Sequence, residues 1–271
     1  MSKINRSPLV KTAQKAYDTD DLYAALDQIG IQSGDNLCIH SSIQALGFPA
    51  LSDPSTWKGP DFLGKFIEVI QDVIGSSGTL LMPSFTYSFC KNEIFDVQQT
   101  PSKVGTLNEF FRQMKQTQRT KDPIFSFAIA GSKKQHYLNI SNSCFGANSV
   151  FDKIYKNDAK LIFLGTDARA MTFVHYIEQK AGVPYRYQKT FQGIIKDNDI
   201  LEQASFLYYV RHLDQKSIFD SQIVKNFALQ THNLKSAAFG ASHIICIDAK
   251  KICDDLASQL QADPLFLLGN Q

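Results

Sequence analysis

A threonine, a histidine and a glutamate recur three residues apart in the stretch Thr172-Phe173-Val174-His175-Tyr176-Ile177-Glu178. Positions i and i+3 lie side by side on a helix, so His175 and Glu178 can touch. A carboxylate beside an imidazole orients the ring and supports its charged form, a common way to build a general base. The same spacing also suits a solvated pair on a helix face, so spacing alone decides nothing. What precedes the trio narrows the choice. Leu161-Ile162-Phe163-Leu164 reads as a short buried strand ending at Gly165. Thr166 and Asp167 offer helix-start chemistry, and a helical period runs from about Ala170. The pair therefore follows a strand's carboxyl end, where open α/β sheets hold ligands.

Other strand ends carry polar groups too. Leu37-Cys38-Ile39 is a buried-strand core closed by His40-Ser41-Ser42, and Leu80 to Met82 is broken by Pro83 and followed by Ser84, Thr86 and Ser88. Phe125 to Gly131 is a third short strand. Between them lie amphipathic helices: DLYAALDQIG after Thr19 and Asp20, FLGKFIEVIQDVIG, Gly105 to Met114, and Val150 to Lys156 capped by Ser149. Strand and helix alternate about four times in the first 180 residues, the signature of a sheet with helices on both faces. The loop from Phe48 to Pro60 is rich in Pro, Ser and Gly. Beyond Pro184, YRYQKTF and SFLYYV alternate with period two, as antiparallel strands do. A helix from Ser217 to Leu229, a strand within SAAFGASHIICI and a helix from Ala249 to Gln261 close the chain. The expected architecture is α/β: a mixed, largely parallel central sheet with antiparallel additions in the C-terminal third. No linker divides it, so residues 1–271 are expected to form one domain.

Composition excludes several classes. The 271 residues are 44% hydrophobic and 20% charged with a net charge of +2, as in soluble globular proteins. No run of Lys or Arg exceeds two residues, which argues against a nucleic-acid groove. No apolar stretch approaches the roughly 20 residues of a membrane span, and the N-terminus lacks a secretory core, so a cytoplasmic protein is expected. The five cysteines are widely spaced without a C-x-x-C pair, which favours reduced thiols over a disulfide framework or zinc cluster. His136, His212, His232 and His243 lack paired spacing, so no metal site is expected. His212 with Asp214, near several tyrosines, is a candidate acceptor contact. Cys38 sits in a strand interior and should point into the core. A serine hydrolase using Ser41 or Ser42 with His175 would want a G-x-S-x-G elbow, and none is present.

Eight segments run in the same order as in a known family: IHSSIQALGF, GTLLMPSFTYS, TPSKVGTLNEFFR, RTKDPIFSFAIAG, CFGANSVFDKIY, LIFLGTDARAMTFVHYIE, FGASHIICID and DPLFLL. Through them the chain resembles the aminoglycoside 3-N-acetyltransferases, which are unrelated to the GNAT fold. The resemblance implies an α/β enzyme that carries acetyl from acetyl-CoA to an amine, without a metal. The family's T-x-x-H-x-x-E pattern falls on Thr172, His175 and Glu178, with His175 as base. His40, Ser41, Ser42, Thr79, Met82, Pro83, Ser84, Phe85, Ser126 and Phe127 correspond to its pantetheine-facing edge. Met171 stands where resistance enzymes often have asparagine, which bears on acceptor contacts rather than on catalysis.

The chemistry agrees with the residues. A sugar amine is mostly ammonium at pH 7 and must lose a proton before it attacks a thioester. Histidine, with an ordinary pKa near ~6.5, can take that proton. The tetrahedral oxyanion then needs donors such as backbone N–H groups or a threonine hydroxyl. For the acceptor, Tyr87, Tyr185 and Arg186 are the candidate contacts. An arginine between Tyr185 and Tyr187 suits a phosphate or carboxylate better than a polycation. The expected acceptor is therefore an amino sugar linked to a nucleotide or lipid, as in surface-polysaccharide assembly, with aminoglycoside resistance as the alternative. From another class, a catalytically idle CoA-binding protein also stays open, and a homodimer is compatible with all of these.

Overall fold

The computed structural model describes residues 5–50, 59–213 and 219–268, apart from the side chain at position 169. A short N-terminal ribbon, β1 (Pro8–Lys11) with β2 (Ala16–Asp18), leads into α1 (Thr19–Gln28). Asp18 caps that helix by accepting from the N–H groups of Asp20 and Asp21, and the Asp21 carboxylate answers with a bond from the Asp18 N–H. Then come β3 (Asn36–Ser41), β4 (Phe48–Pro49), α2 (Gly59–Ile74), β5 (Thr79–Pro83), β6 (Phe95–Asp96), α3 (Thr106–Arg112), β7 (Gln118–Arg119) and β8 (Phe127–Gly131). They are followed by α4 (Lys134–Leu138), α5 (Val150–Lys156), β9 (Lys160–Leu164), α6 (Val174–Ala181) and the long strands β10 (Arg186–Asp197) and β11 (Ile200–Arg211). The described chain closes with α7 (Ser221–Gln230), β12 (Leu234–Phe239), β13 (Ser242–Asp248) and α8 (Ala249–Ala262).

The main sheet has seven strands in the order β12-β13-β9-β3-β5-β8-β7. Its middle, β9-β3-β5, is parallel, and every other neighbouring pair is antiparallel. The mixed α/β class is as expected. The parallel part is confined to the three strands whose exits build the site, and β8 already runs antiparallel to β5. The hairpin β10–β11 supplies the expected antiparallel addition in the C-terminal third. The N-terminal ribbon had no legible signal, because its strands are too short to display a period. The segment expected to form a helix from Ser217 begins at Ser221, with Asp220 as its cap, and 217 lies outside the described residues. Asp214 does too.

Side-chain alternation along the strands divides the core in two. Leu37 and Ile39, Leu80 and Met82, and Ile162 and Leu164 face α1, α2 and α3. Cys38, Leu81, Leu161 and Phe163 face α5, α6 and α8. On α2, Phe66, Ile67, Ile70 and Ile74 are buried at i, i+1, i+4 and i+8. Each such side chain contributes roughly 1.5–3 kcal/mol of burial. Helices thus cover both faces of the sheet, and the carboxyl ends of its three parallel strands open at one edge.

Candidate active site

The chain leaves β9 through Gly165, at φ +69, where a Cβ would meet the Ser42 carbonyl oxygen at 2.5 Å. Only glycine lets the β9 and β3 exits lie this close. After one 3-10 turn at Ala168–Ala170, α6 starts at Val174, later than the periodicity suggested. Thr172 stays in the preceding turn, where its carbonyl accepts from the His175 N–H at 3.0 Å. Buried Met171 and Phe173 anchor that turn in the core.

His175 and Glu178 do meet. Nδ1 of His175 donates to Oε2 of Glu178 at 2.6 Å; the histidine side chain is 22% exposed and the glutamate 0%. A solvated surface pair is thereby excluded. Glu178 has further partners that arrive through the end of α6. Gly182, at φ 72, closes the helix by donating to the carbonyls of Glu178 and Gln179. The turn that follows is fixed by Tyr209, whose hydroxyl donates to the Val183 carbonyl at 2.7 Å. Tyr185 and Arg186 therefore return against the helix. The Tyr185 hydroxyl donates to Glu178 Oε1 at 2.9 Å. Nε of Arg186 lies 2.8 Å from Glu178 Oε2, an ion pair whose N–H points off the oxygen, while Nη1 donates to the Tyr209 carbonyl at 3.1 Å. Burial alone would raise the pKa of Glu178. The hydrogen bond and charge of His175, the Arg186 charge and the Tyr185 hydroxyl outweigh it and hold the carboxyl below its ordinary value. Burial and the facing carboxylate push the Tyr185 phenol up, so it stays a donor.

This corrects the expected role of two residues. Tyr185 is 3% exposed and Arg186 8%; Tyr185 gives its hydroxyl to Glu178, and Arg186 pairs with Glu178 and donates Nη1 to the β11 backbone. Arg186 is not presented as an anion receptor, because the carboxylate it neutralises lies inside the protein.

The strand exits form a cleft of about 200 Å³, walled by His40, Ser41, Pro83, Phe85, Tyr87 and Thr172, with Asn108 among its other lining residues. Thr172 links this cleft to α6, and aromatic rings join the two places on another side: Tyr87 packs on Phe125, Phe125 on Phe145, and Phe145 on the His175 ring at 5.8 Å. Burial lowers the His40 pKa to about 4, so its ring, stacked on Phe163, is neutral at pH 7. Tyr87 holds φ 57, a backbone conformation that non-glycine residues rarely adopt and that tends to occur at functional sites. Asn108 was not among the expected residues. Its Oδ1 accepts from Ser41 Oγ at 2.6 Å, and its Nδ2 donates to the carbonyls of Pro83 and Ile39 at 2.9 and 3.3 Å. One amide thus ties the exits of β3 and β5 together. The readable signal was a polar residue on the buried face of α3, between Leu107 and Phe111.

Several residues expected at the pantetheine edge sit elsewhere. Thr79 starts β5 beside Asn36, at the opposite end of the strand from Pro83, and is fully buried. Met82 and Phe127 point into the two cores. Ser84 and Ser126 are buried behind the cleft: Nε of Arg119 donates to Ser126 Oγ at 3.0 Å and to Ser84 Oγ at 3.2 Å. Ser42 donates its N–H to the Leu164 carbonyl at 2.8 Å and bridges strand exits without lining the cleft. For the five other than Thr79 the reason is common. Proximity to an exit in sequence does not choose the side chain's face; pleat and register do.

The aminoglycoside 3-N-acetyltransferase family model matches residues 38–261. The chain belongs to that family. It is accordingly an acetyl-CoA-dependent N-acetyltransferase. The aminoglycoside N(3)-acetyltransferase IV of Salmonella sp is 26% identical over 253 residues, 92% of this chain and 89% of the relative. Among solved structures, sisomicin-bound AAC-VIa superposes with a TM-score of 0.77 at 20% identity, covering 91% of this chain and 98% of that one. AAC-IIIb in its binary complex with CoASH gives 0.76 at 19% identity, covering 90% and 96%. Among the described residues, no helix is long and apolar enough to cross a membrane.

Proposed function

We propose that this protein acetylates an amine of an aminoglycoside, using acetyl-CoA as donor and His175 as general base. The observation that carries the mechanism is the 2.6 Å bond from His175 Nδ1 to a wholly buried Glu178. A carboxylate that only accepts fixes the proton on Nδ1 and leaves the Nε2 lone pair for the acceptor. Nε2 takes a proton from the acceptor ammonium, and the freed nitrogen attacks the thioester carbonyl. As the N–C bond forms and the C–S bond breaks, the imidazolium passes its proton to the departing CoA thiolate and the nitrogen's second proton is released to solvent, leaving the neutral amide and CoASH. The acetyl-pantetheine end fits the cleft at the strand exits, where Ser41, Asn108 and Thr172 offer polar atoms beside the apolar Pro83 and Phe85.

The acceptor class rests on the family and on the relatives' aminoglycoside chemistry. A nucleotide- or lipid-linked amino sugar lacks comparable support, since the reading depended on Arg186 facing an anion and Arg186 is committed to Glu178. A thiol-release assay with acetyl-CoA tests the proposal. Sisomicin or another aminoglycoside should be turned over in preference to nucleotide-linked amino sugars. Turnover of the nucleotide sugar alone would overturn the acceptor class. CoA binding without turnover of any amine would make the chain an idle binder.

A further inference from the structure

Tyr185 and Arg186 are not spare core residues, and we infer that they are positioning residues for the base: together they hold the Glu178 carboxylate in the orientation that fixes the His175 ring with its proton on Nδ1. The inference rests on the reading of His175 as base.

A buried carboxylate facing a lone histidine has two easy escapes. It can take up a proton and become a donor, which reverses the hydrogen bond and moves the ring proton to Nε2. It can also hold the imidazole permanently protonated, which fills the base before the acceptor arrives. A fixed cation on the same carboxylate blocks both. Arg186 and His175 share Oε2 at 2.8 and 2.6 Å, so the Arg186 charge already balances the carboxylate. The Tyr185 hydroxyl takes Oε1 at 2.9 Å and stops the carboxylate from rotating. The fourth titratable group facing Glu178 is Tyr209 on β11, whose hydroxyl donates away to the Val183 carbonyl. Three elements thus converge on one glutamate: His175 from α6, Tyr185 from the turn after it, and Arg186 at the start of β10.

The test uses the full chain with acetyl-CoA and sisomicin, across pH. Arg186→Met should move the acid limb of kcat/KM upward by about 1 pH unit or more, because a like charge near the imidazole has been removed. Activity below the limb should fall at least about tenfold and recover at higher pH. Arg186→Lys should return the limb to its wild-type position even where kcat stays reduced. Tyr185→Phe should lower kcat several-fold and leave both KM values unchanged. Where Arg186→Met folds poorly, the Lys and Phe variants carry the test. A loss uniform across pH in Arg186→Met, or a limb in Arg186→Lys that differs from wild type as much as the Met variant's, overturns the inference.

A second readout needs no acceptor. The His175 ring titration followed by NMR, assigned with His175→Ala, should shift upward in Arg186→Met, and an unmoved midpoint also overturns the inference. Should His175→Ala keep its transfer rate while the midpoint moves as stated, the base reading fails and the clamp stands.

Discussion

Two arginines are equally buried in this protein, at 8% exposure each, and their surroundings are opposite. Arg186 meets a carboxylate. Arg119 meets only neutral oxygens: the carbonyls of Ser84, Thr100 and Val97 and the hydroxyls of Ser84 and Ser126, with its guanidinium over the Phe95 ring. Burial, then the nearby charge of Arg112, lowers the Arg119 pKa to about 9, so it remains charged at pH 7. The difference separates two uses of a buried cation. Beside Glu178 the charge itself matters, because it sets which proton sits where. At the exit of β5 and the entry to β8 the five-donor fork matters, because it satisfies several backbone and hydroxyl oxygens at once and shapes the back of the cleft.

The sharpest way to break this comparison starts at the chemical end. His175→Ala should lower acetyl transfer by about 10²–10⁴-fold, the usual effect of losing a positioned base, with acetyl-CoA affinity unchanged by titration. A rate within a few-fold of wild type would remove His175 as the base. Next in size is Arg119→Met. It removes the donor to the part-buried Thr100 carbonyl and to the Ser84 and Ser126 hydroxyls, while the Ser84 carbonyl keeps its bond from the Ser126 hydroxyl, a loss of roughly 1–3 kcal/mol. Thermal unfolding should shift down by about 2–12 °C, at roughly 2–4 °C per kcal/mol for a chain of this size. The shape of the pH–rate profile should not change, and an acid limb that moves in this variant would erase the distinction between the two arginines.

A smaller effect follows from the depressed pKa of Glu178. A carboxyl that binds its proton more weakly when folded contributes stability above its unfolded pKa, near ~4.3, and loses it as pH falls through the lower folded value. Glu178→Gln should therefore be less stable than wild type at neutral pH, and the gap should narrow as pH drops through that window. The Arg119→Met gap should stay constant there. Denaturant midpoints measured against pH distinguish the two patterns. Smallest is the contrast at the strand ends. Ser41→Val should weaken CoA binding measurably, since Ser41 lines the cleft, whereas Thr79→Val should leave it unchanged. Equal losses in both would place the pantetheine end elsewhere.

What the sequence by itself determined was local. The T-x-x-H-x-x-E spacing brought His175 to Glu178, the Ser149 cap started α5, and period-two alternation announced the β10–β11 hairpin. Each depends on residues a few positions apart, where helix and strand geometry permit one answer. Eight ordered motifs also located the family, which here agrees with the fold. Tertiary structure decided the rest. Arg186 looked like a contact for an anionic acceptor because it stands between two tyrosines. It became the counter-ion of Glu178 only when Gly182 reversed the chain onto α6. Thr79, Ser84 and Ser126 carry the same hydroxyls as Ser41, yet pleat direction, strand polarity and Arg119 turned them from the cleft, while Asn108 reached it from a separate helix. Which polar atom faces a site is settled by contacts between segments far apart in the chain, and no local period encodes them.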